Sequence, residues 1–398
     1  MIWVSRNILK DITSPPTILS IIWSIMYFIL IICTYKYDSS NFYFILFLIS
    51  NTLFLIGFII PLNGCTKISY LNNYELNNSL SVKAYFIKLL FFFEILILMY
   101  FLIGMLIFIQ NNFERNIWFS LKYGRAMGTY YEGALVERFR VIAISLTHIL
   151  AIIYFNNKSD INKKNFYFQT IITFILVFFG VGRTTLFTMF VPIFFSYIYI
   201  KKPNNKKIIA TLLKMGISLL LIFIIYAYMK FPYLIGESSF KFIMGQLQIY
   251  TVSPMIAFVN WCSTNSNYAY GIYTFRGILA LFSSIGFDIN VPSVVSEYVL
   301  VGDDLTNVYT SLHYYAKDFG IVYALLIQLI IGVFHGFLYK KAVLSKNTTI
   351  FRISIFTLFY YSLVMQFFVD QYMSLLSQWI QYAVCYYLIS KIIVEKSQ

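Results

Sequence analysis

The sequence predicts an all-α polytopic membrane protein of about ten transmembrane helices, and three observations carry that class. Of 398 residues, 60% are hydrophobic and only 12% charged, against about 45–50% and about 25% in soluble globular domains. The apolar residues gather in runs near the length an α-helix needs to cross a bilayer. The basic residues concentrate in alternate connections between those runs, which is the bias of cytoplasmic loops. A formal net charge of +14 then has two sources, topology and attraction for an anionic ligand, and neither calls for nucleic acid.

The runs follow in order. There is no short apolar stretch ending in a small-residue cleavage site at the N-terminus, so the first run, 17–35, is expected to stay in the membrane. Further runs cover 42–62, 85–109, 138–155, 166–181, 184–200, 208–229, 319–339, 350–369 and 373–394. With ten spans and both termini cytoplasmic, the inner segments are 1–16, 63–84, 157–165, 201–207, 340–349 and 390–398. They hold 16 of the 30 basic residues. The lysine clusters at 158–164 and 201–207 share a side only if 166–181 and 184–200 are separate spans, joined by a tight outside turn at Gly180-Val181-Gly182-Arg183.

Two outer segments are long enough to build a cap, 110–137 and 230–317. The second carries only Lys230, Lys241, Arg276 and Lys317 as basic residues. Its apolar stretches 240–262 and 268–286 are expected to lie on the membrane surface or to dip in as re-entrant helices. No internal or inverted repeat is visible, so residues 1–398 read as one integral membrane domain under an external cap. Cys33, Cys65, Cys262 and Cys385 show no CxxC spacing, which points away from a metal site or a disulfide framework. P-loop, dinucleotide, HExxH and GxSxG signatures are absent, which points away from ATP hydrolysis and serine-hydrolase chemistry.

Four constellations could carry chemistry. Gly180-Val181-Gly182-Arg183-Thr184-Thr185 sets an arginine and two hydroxyls at the start of a membrane helix, where free N–H groups suit a phosphate or diphosphate. The competing reading is an interfacial arginine that snorkels to headgroups. Arg115, Arg125, Arg138 and Arg140 cluster around the first outer segment, against the topological bias. Arg138 and Arg140 are expected to pair with Glu132 and Glu137, whereas Arg125 has no close carboxylate in sequence. Tyr273-Thr274-Phe275-Arg276-Gly277 offers stacking faces beside a guanidinium, or else a surface helix with Arg276 in water. The run 302–320 is dense in hydrogen-bonding groups: Asp303, Asp304, Asn307, Tyr309, His313 and Asp318. Either aspartate of the pair could cap a helix. His313 could serve as a base near neutral pH, or could simply be packed. Glu94, inside the third run, must face protein or water.

The order of these pieces resembles the oligosaccharide repeat unit polymerases, the Wzy-type O-antigen polymerases. The resemblance rests on Gly182-Arg183-Thr184 in an outer turn, then a large outer loop, then Asn307-Val308-Tyr309-Thr310 leading to Asp318-Phe319-Gly320. It implies a GT-C-like glycosyltransferase of the bacterial inner membrane. Such an enzyme moves a growing glycan from undecaprenyl diphosphate onto a new lipid-linked repeat unit on the periplasmic face, with no cofactor or metal. A chain-length regulator is an implied partner. By the same resemblance, Arg183, Arg276 and Arg125 would stabilise the leaving diphosphate, while His313, Asp303 or Asp304 would take the acceptor proton. Thr184, Tyr273, Asn307, Tyr309 and Asp318 would position substrate. Related ligases carry His-Asn where this chain has Thr306-Asn307, which argues against a ligase; a lipid-linked-sugar flippase and a ligase are the alternatives to the polymerase reading.

Overall fold

The computed structural model describes residues 9, 11–33, 35, 37, 42–62, 75–76, 80–112, 117–126, 134–157, 160–180, 182–230, 237–264, 268–293, 296–302, 304–345 and 347–396. Each of the ten apolar runs becomes a helix. Among the described residues, eight helices are long and apolar enough to cross a membrane. The two helices outside that set are Asp160–Phe178, which opens on Asp160, Lys163 and Lys164, and Leu376–Ile393, which carries Ser377, Gln378 and Gln381. Their polar residues lower the apolar density below that of the other eight. The runs 166–181 and 184–200 give separate helices, Asp160–Phe178 and Arg183–Lys201, as the lysine clusters require.

The chain forms two compact units. The first comprises 1–72, 240–344 and 359–380. It contains helices α1 (Pro15–Ile32) and α2 (Ile45–Ile59). Pro15 and Pro16 begin α1, where the missing N–H costs nothing. Trp23 of α1 stacks on Phe47 of α2 at 4.7 Å. The densest contact joins α2 to the membrane helix Ile321–Ala342. There Gly57 faces the Leu329 carbonyl, Gly332 the carbonyl of Phe54, and Gly336 that of Phe58; a Cβ at any of the three would overlap the facing oxygen. Gly332-x-x-x-Gly336 is thus a small-residue seam that lets two backbones meet.

The segment 240–262, expected on the membrane surface or as re-entrant helix, divides into two unlike halves. It splits at Val252 into helices Glu237–Thr251 and Ser253–Thr264, and Met255, Ile256, Ala257, Phe258 and Val259 are all buried in protein. Phe258 packs on Phe47 at 5.7 Å, so 255–259 is core, whereas Met244 of the preceding helix is exposed. Residues 268–286 fit the interfacial expectation better. Helix Arg276–Ser284 and its flanks leave Tyr270, Leu281, Phe282, Ile285 and Phe287 exposed, as a helix lying at an interface would.

The second unit comprises 73–239, 345–358 and 381–398. It contains α3 (Ala84–Asn111), α4 (Ile117–Ala126), α5 (Ala134–Asn156), α6 (Asp160–Phe178), α7 (Arg183–Lys201) and α8 (Asn205–Lys230). Helix α5 packs on both α6 and α7. Trp118, Phe178 and Tyr226 form an aromatic cluster, with Trp118 5.1 Å from Phe178 and 5.2 Å from Tyr226. Arg140, expected to pair with Glu132 or Glu137, has a helix-end carbonyl among its partners. It is 7% exposed and donates from Nε to the Leu176 carbonyl at the end of α6, at 3.3 Å. A guanidinium there satisfies a carbonyl that the helix leaves open. Gly180 makes the room, since a Cβ on it would come within 2.6 Å of Arg140 Nη2. Glu132, the other expected partner, lies outside the described residues.

Two tests follow from this arrangement. Gly332→Val should lower the melting midpoint of the detergent-solubilised protein sharply, because the facing oxygen is backbone. Gly104→Ala, on a helix face with no neighbour within 4 Å, should leave it unchanged or gain up to about 1 kcal/mol. Reporter fusions at Asn205 and Asn265 should mark opposite sides of the membrane; same-side signals would overturn the ten-span layout.

Candidate functional site

The residues that the sequence picks out between 268 and 320 fold into one neighbourhood of the first unit. A hairpin of Val299–Val301 and Asp304–Thr306 turns at Gly302, whose φ is 62°. Val299 pairs with Thr306 and Val301 with Asp304. The Asp304 carboxylate accepts the Tyr35 hydroxyl at 2.7 Å, so Asp304 ties the hairpin to the loop after α1. Thr306 Oγ1 accepts the Val308 N–H at 3.2 Å. That turn sends 307–310 along the edge of a cavity, and helix Leu312–Phe319 follows.

Asp318 anchors the same neighbourhood from the other side. Its two carboxylate oxygens accept the backbone N–H groups of Tyr273, at 3.2 Å, and Thr274, at 2.5 Å. Ala269 and Tyr270 donate to the carbonyls of Lys317 and Asp318. Gly320 has φ 88° and lies against the Tyr268 ring. A side chain there would be strained in φ and crowded as well. Asp318-Phe319-Gly320 is therefore a structural corner that docks the outer loop where the next membrane helix begins.

Between these anchors lies a cavity of about 150 Å³, walled by Ser296, Asn307, Tyr309, Thr310, His313 and Tyr314 and floored by Val308, Phe368 and Val369. Among the described residues, no charged side chain lines it. The wall is an aromatic ladder. Tyr309 stacks on His313 at 3.9 Å and 10° between planes. His313 is 5.6 Å from Tyr314, and Tyr314 stacks on Tyr273 at 5.9 Å and 7°. Lys317 Nζ sits 4.2 Å over the Tyr273 ring and 3.2 Å from Glu297 Oε1, a cation–π contact beside an ion pair. The Tyr309 hydroxyl donates to the Glu297 carbonyl at 3.2 Å, and those of Ser296 and Tyr314 meet at 3.0 Å.

Two polar atoms of the lining residues are buried without a partner, His313 Nε2 and Thr310 Oγ1. Groups of that kind in native proteins await a ligand or water. Burial, reinforced by the Lys317 ammonium one helical turn away, pushes His313 down to about 3. The imidazole is uncharged at neutral pH and can exchange hydrogen bonds with a hydroxyl. Burial also raises Tyr309 to about 12, so its phenol stays protonated.

The other expected residues fall elsewhere. Arg276 donates from Nε to the Pro292 carbonyl at 2.8 Å and does not line the cavity. Arg183 and Thr184 open α7 in the second unit, where the Thr184 carbonyl accepts the Thr188 hydroxyl at 2.9 Å. Asp303 and the side chains of Arg125 and Arg183 lie outside the described residues. Sequence reasoning missed Thr310, Ser296, Tyr314 and the Phe368-Val369 floor. Thr310 and Tyr314 could have been found beside His313, at one helical turn from it or less. Phe368 and Val369 carry no signal, because they read as the end of a membrane span.

Beneath the cavity the polar chain continues. Tyr315 donates to Asp370 at 2.5 Å, and Tyr372 and Ser374 donate backbone N–H to the same carboxylate, each at 2.9 Å. Burial raises Asp370 above the usual carboxylate range, and these donors offset part of that rise. Tyr372 also meets His335 Nε2 at 2.8 Å. No family model, curated protein or solved structure matches the chain.

The His313 environment sets a pH dependence. Above about pH 6.5 the imidazole is neutral in the folded and unfolded chains alike. Between 6.5 and about 3 the unfolded chain binds a proton that the folded one refuses, on the order of 5 kcal/mol at full extent. Stability should therefore fall as pH falls through that window, and His313→Gln should flatten the fall in melting midpoint. An unchanged slope would show that His313 is not held neutral.

Proposed function

We propose that this chain is a lipid-carrier-dependent glycosyltransferase, an oligosaccharide repeat unit polymerase acting on the outer face of a bacterial inner membrane. The observation that carries the reading is the uncharged cavity. Hydroxyls, an amide and stacked rings form its wall, and two buried polar atoms in it lack partners. Aromatic faces and neutral hydrogen-bonding groups are what a sugar ring needs for recognition. The cavity is small beside the ~300–1,000 Å³ of drug-sized sites, which suits one terminal sugar of a longer chain. Its residues lie outside the eight helices long and apolar enough to cross a membrane, where a lipid-linked glycan would project.

In this reading the acceptor hydroxyl attacks the anomeric carbon of the growing glycan. The bond from that carbon to the undecaprenyl diphosphate oxygen breaks, and the diphosphate departs with the electron pair. Asn307 and Thr310 orient the acceptor. His313 accepts the hydroxyl's hydrogen bond. An imidazole held near 3 is too weak a base to keep the proton, so its role is orientation, and the proton leaves with the diphosphate or to water. Arg276, with its Nε already committed to Pro292, has its Nη groups for a phosphate oxygen. Tyr273 and Tyr309 provide stacking faces. A chain-length regulator is the partner this function would call for.

Deleting the gene in the source bacterium should leave single repeat units on the lipid A core. Loss of all surface repeat units would instead mark a flippase, and intact polymer absent from lipid A core would mark a ligase. Asn307→Ala, with the protein at normal abundance, should shorten the polymer and cut the elongation rate about tenfold or more. That is the effect of one lost hydrogen bond worth roughly 1–3 kcal/mol to the acceptor.

A further inference from the structure

Glu94 stands in the apolar stretch of α3 and is 1% exposed. The groups it meets are uncharged. Gln169 of α6 donates from Nε2 to Glu94 Oε2 at 2.5 Å. The same Nε2 lies 3.0 Å from Thr173 Oγ1 and 3.4 Å from the Ala143 carbonyl of α5. Thr173 Oγ1 meets Thr147 Oγ1 at 2.7 Å, so two hydroxyls close the cluster. Among the described side chains, the ionisable ones on the helices packed against Glu94 are engaged elsewhere or exposed; that of Asp160 lies outside them. Arg140 bonds the Leu176 carbonyl, and His148 bonds Ser196 and Tyr386. Lys88, Glu137, Arg138, Lys163 and Lys164 are exposed, and the side chains of Lys122 and Arg125 on α4 lie outside the described residues.

The remaining oxygens of the pair, Glu94 Oε1 and Gln169 Oε1, are both buried and both without a partner. With an ionised carboxylate, each is an acceptor that lacks a donor, and a bare negative charge stands inside an apolar bundle. Both conditions are costly. A single proton removes them together. A carboxylic acid and a primary amide are complementary along two parallel bonds, amide N–H to one carboxyl oxygen and carboxyl O–H to the amide oxygen. The first of these bonds is in place, and the two orphan oxygens are the atoms of the second.

We propose that Glu94 and Gln169 form an intramembrane proton-binding site, in which Glu94 Oε1 carries the proton and donates it to Gln169 Oε1. The bound ligand is a proton taken from water. Once it is bound, α3 is held to α6 by a neutral two-bond clamp. This site belongs to the second unit and does not depend on the glycosyltransferase reading.

Infrared difference spectra of lipid-reconstituted protein at pH 7, wild type minus Glu94→Gln, test it. The expected result is loss of one protonated carboxylic acid carbonyl band in the variant. Loss of a carboxylate band instead would overturn the proposal. Stability supplies a second reading that does not depend on band assignment. Glu94→Gln replaces the acid O–H with an amide N–H and should keep the wild-type melting midpoint, whereas Glu94→Ala should lower it or abolish folding. A Glu94→Gln variant that loses as much as Glu94→Ala would show that the carboxyl is ionised, and the proposal would fail.

Discussion

The first unit depends on one close approach, the crossing of α2 with the membrane helix Ile321–Ala342. Gly57, Gly332 and Gly336 each face a backbone carbonyl of the opposite helix with no space for a Cβ. Lipid tails are as apolar as leucine, so burial gives these helices little reason to associate. Packing between backbones has to supply it. Once the two helices lock, the buried face of Ile321–Ala342 is set. Gln328, His335 and Tyr339 then point into protein. They meet Ser311, Tyr372 and Asp11 at 3.5, 2.8 and 2.9 Å respectively.

That locked helix fixes the outer site through Gly320. The residue's positive φ turns the chain from the membrane helix back into Leu312–Phe319, which carries His313. Asp318 then fastens the loop at Tyr273 and Thr274, and the Gly302 hairpin holds the opposite wall. Membrane packing, a glycine corner and a carboxylate clamp thus act in series to hold an aromatic ladder around a small uncharged cavity. Motif residues that look catalytic in isolation have divided duties: Asp304 and Asp318 position backbone, whereas Asn307, Tyr309 and His313 face the open space.

Desolvation is the common currency of the two units. Burial keeps His313 neutral beside Lys317. In the second unit, Arg140 is accepted by a helix-end carbonyl under Gly180, and Glu94 by an amide. The named contacts of these three groups involve no opposite charge. Each is matched instead to a dipole or a neutral group, the arrangement expected where water is scarce.

The sequence by itself determined the solvent, because 60% hydrophobic residues in helix-length runs leave a bilayer as the medium that suits the chain. It also determined the helix boundaries closely, since lysine pairs, glycines and prolines act locally. It marked Asn307, Tyr309 and His313, which share one short run. Tertiary structure alone decided which polar groups meet. Gln169 lies 75 positions from Glu94, and Asp304 lies 269 from Tyr35. Only packing brings such partners together, and a polar atom's role in an apolar interior is fixed by its partner. The Gly332-x-x-x-Gly336 seam was present in the sequence, but its importance rests on Gly57 of another helix. For the same reason the burial of 255–259 could not be read from 240–262 itself: burial belongs to the neighbours a segment acquires, not to its composition.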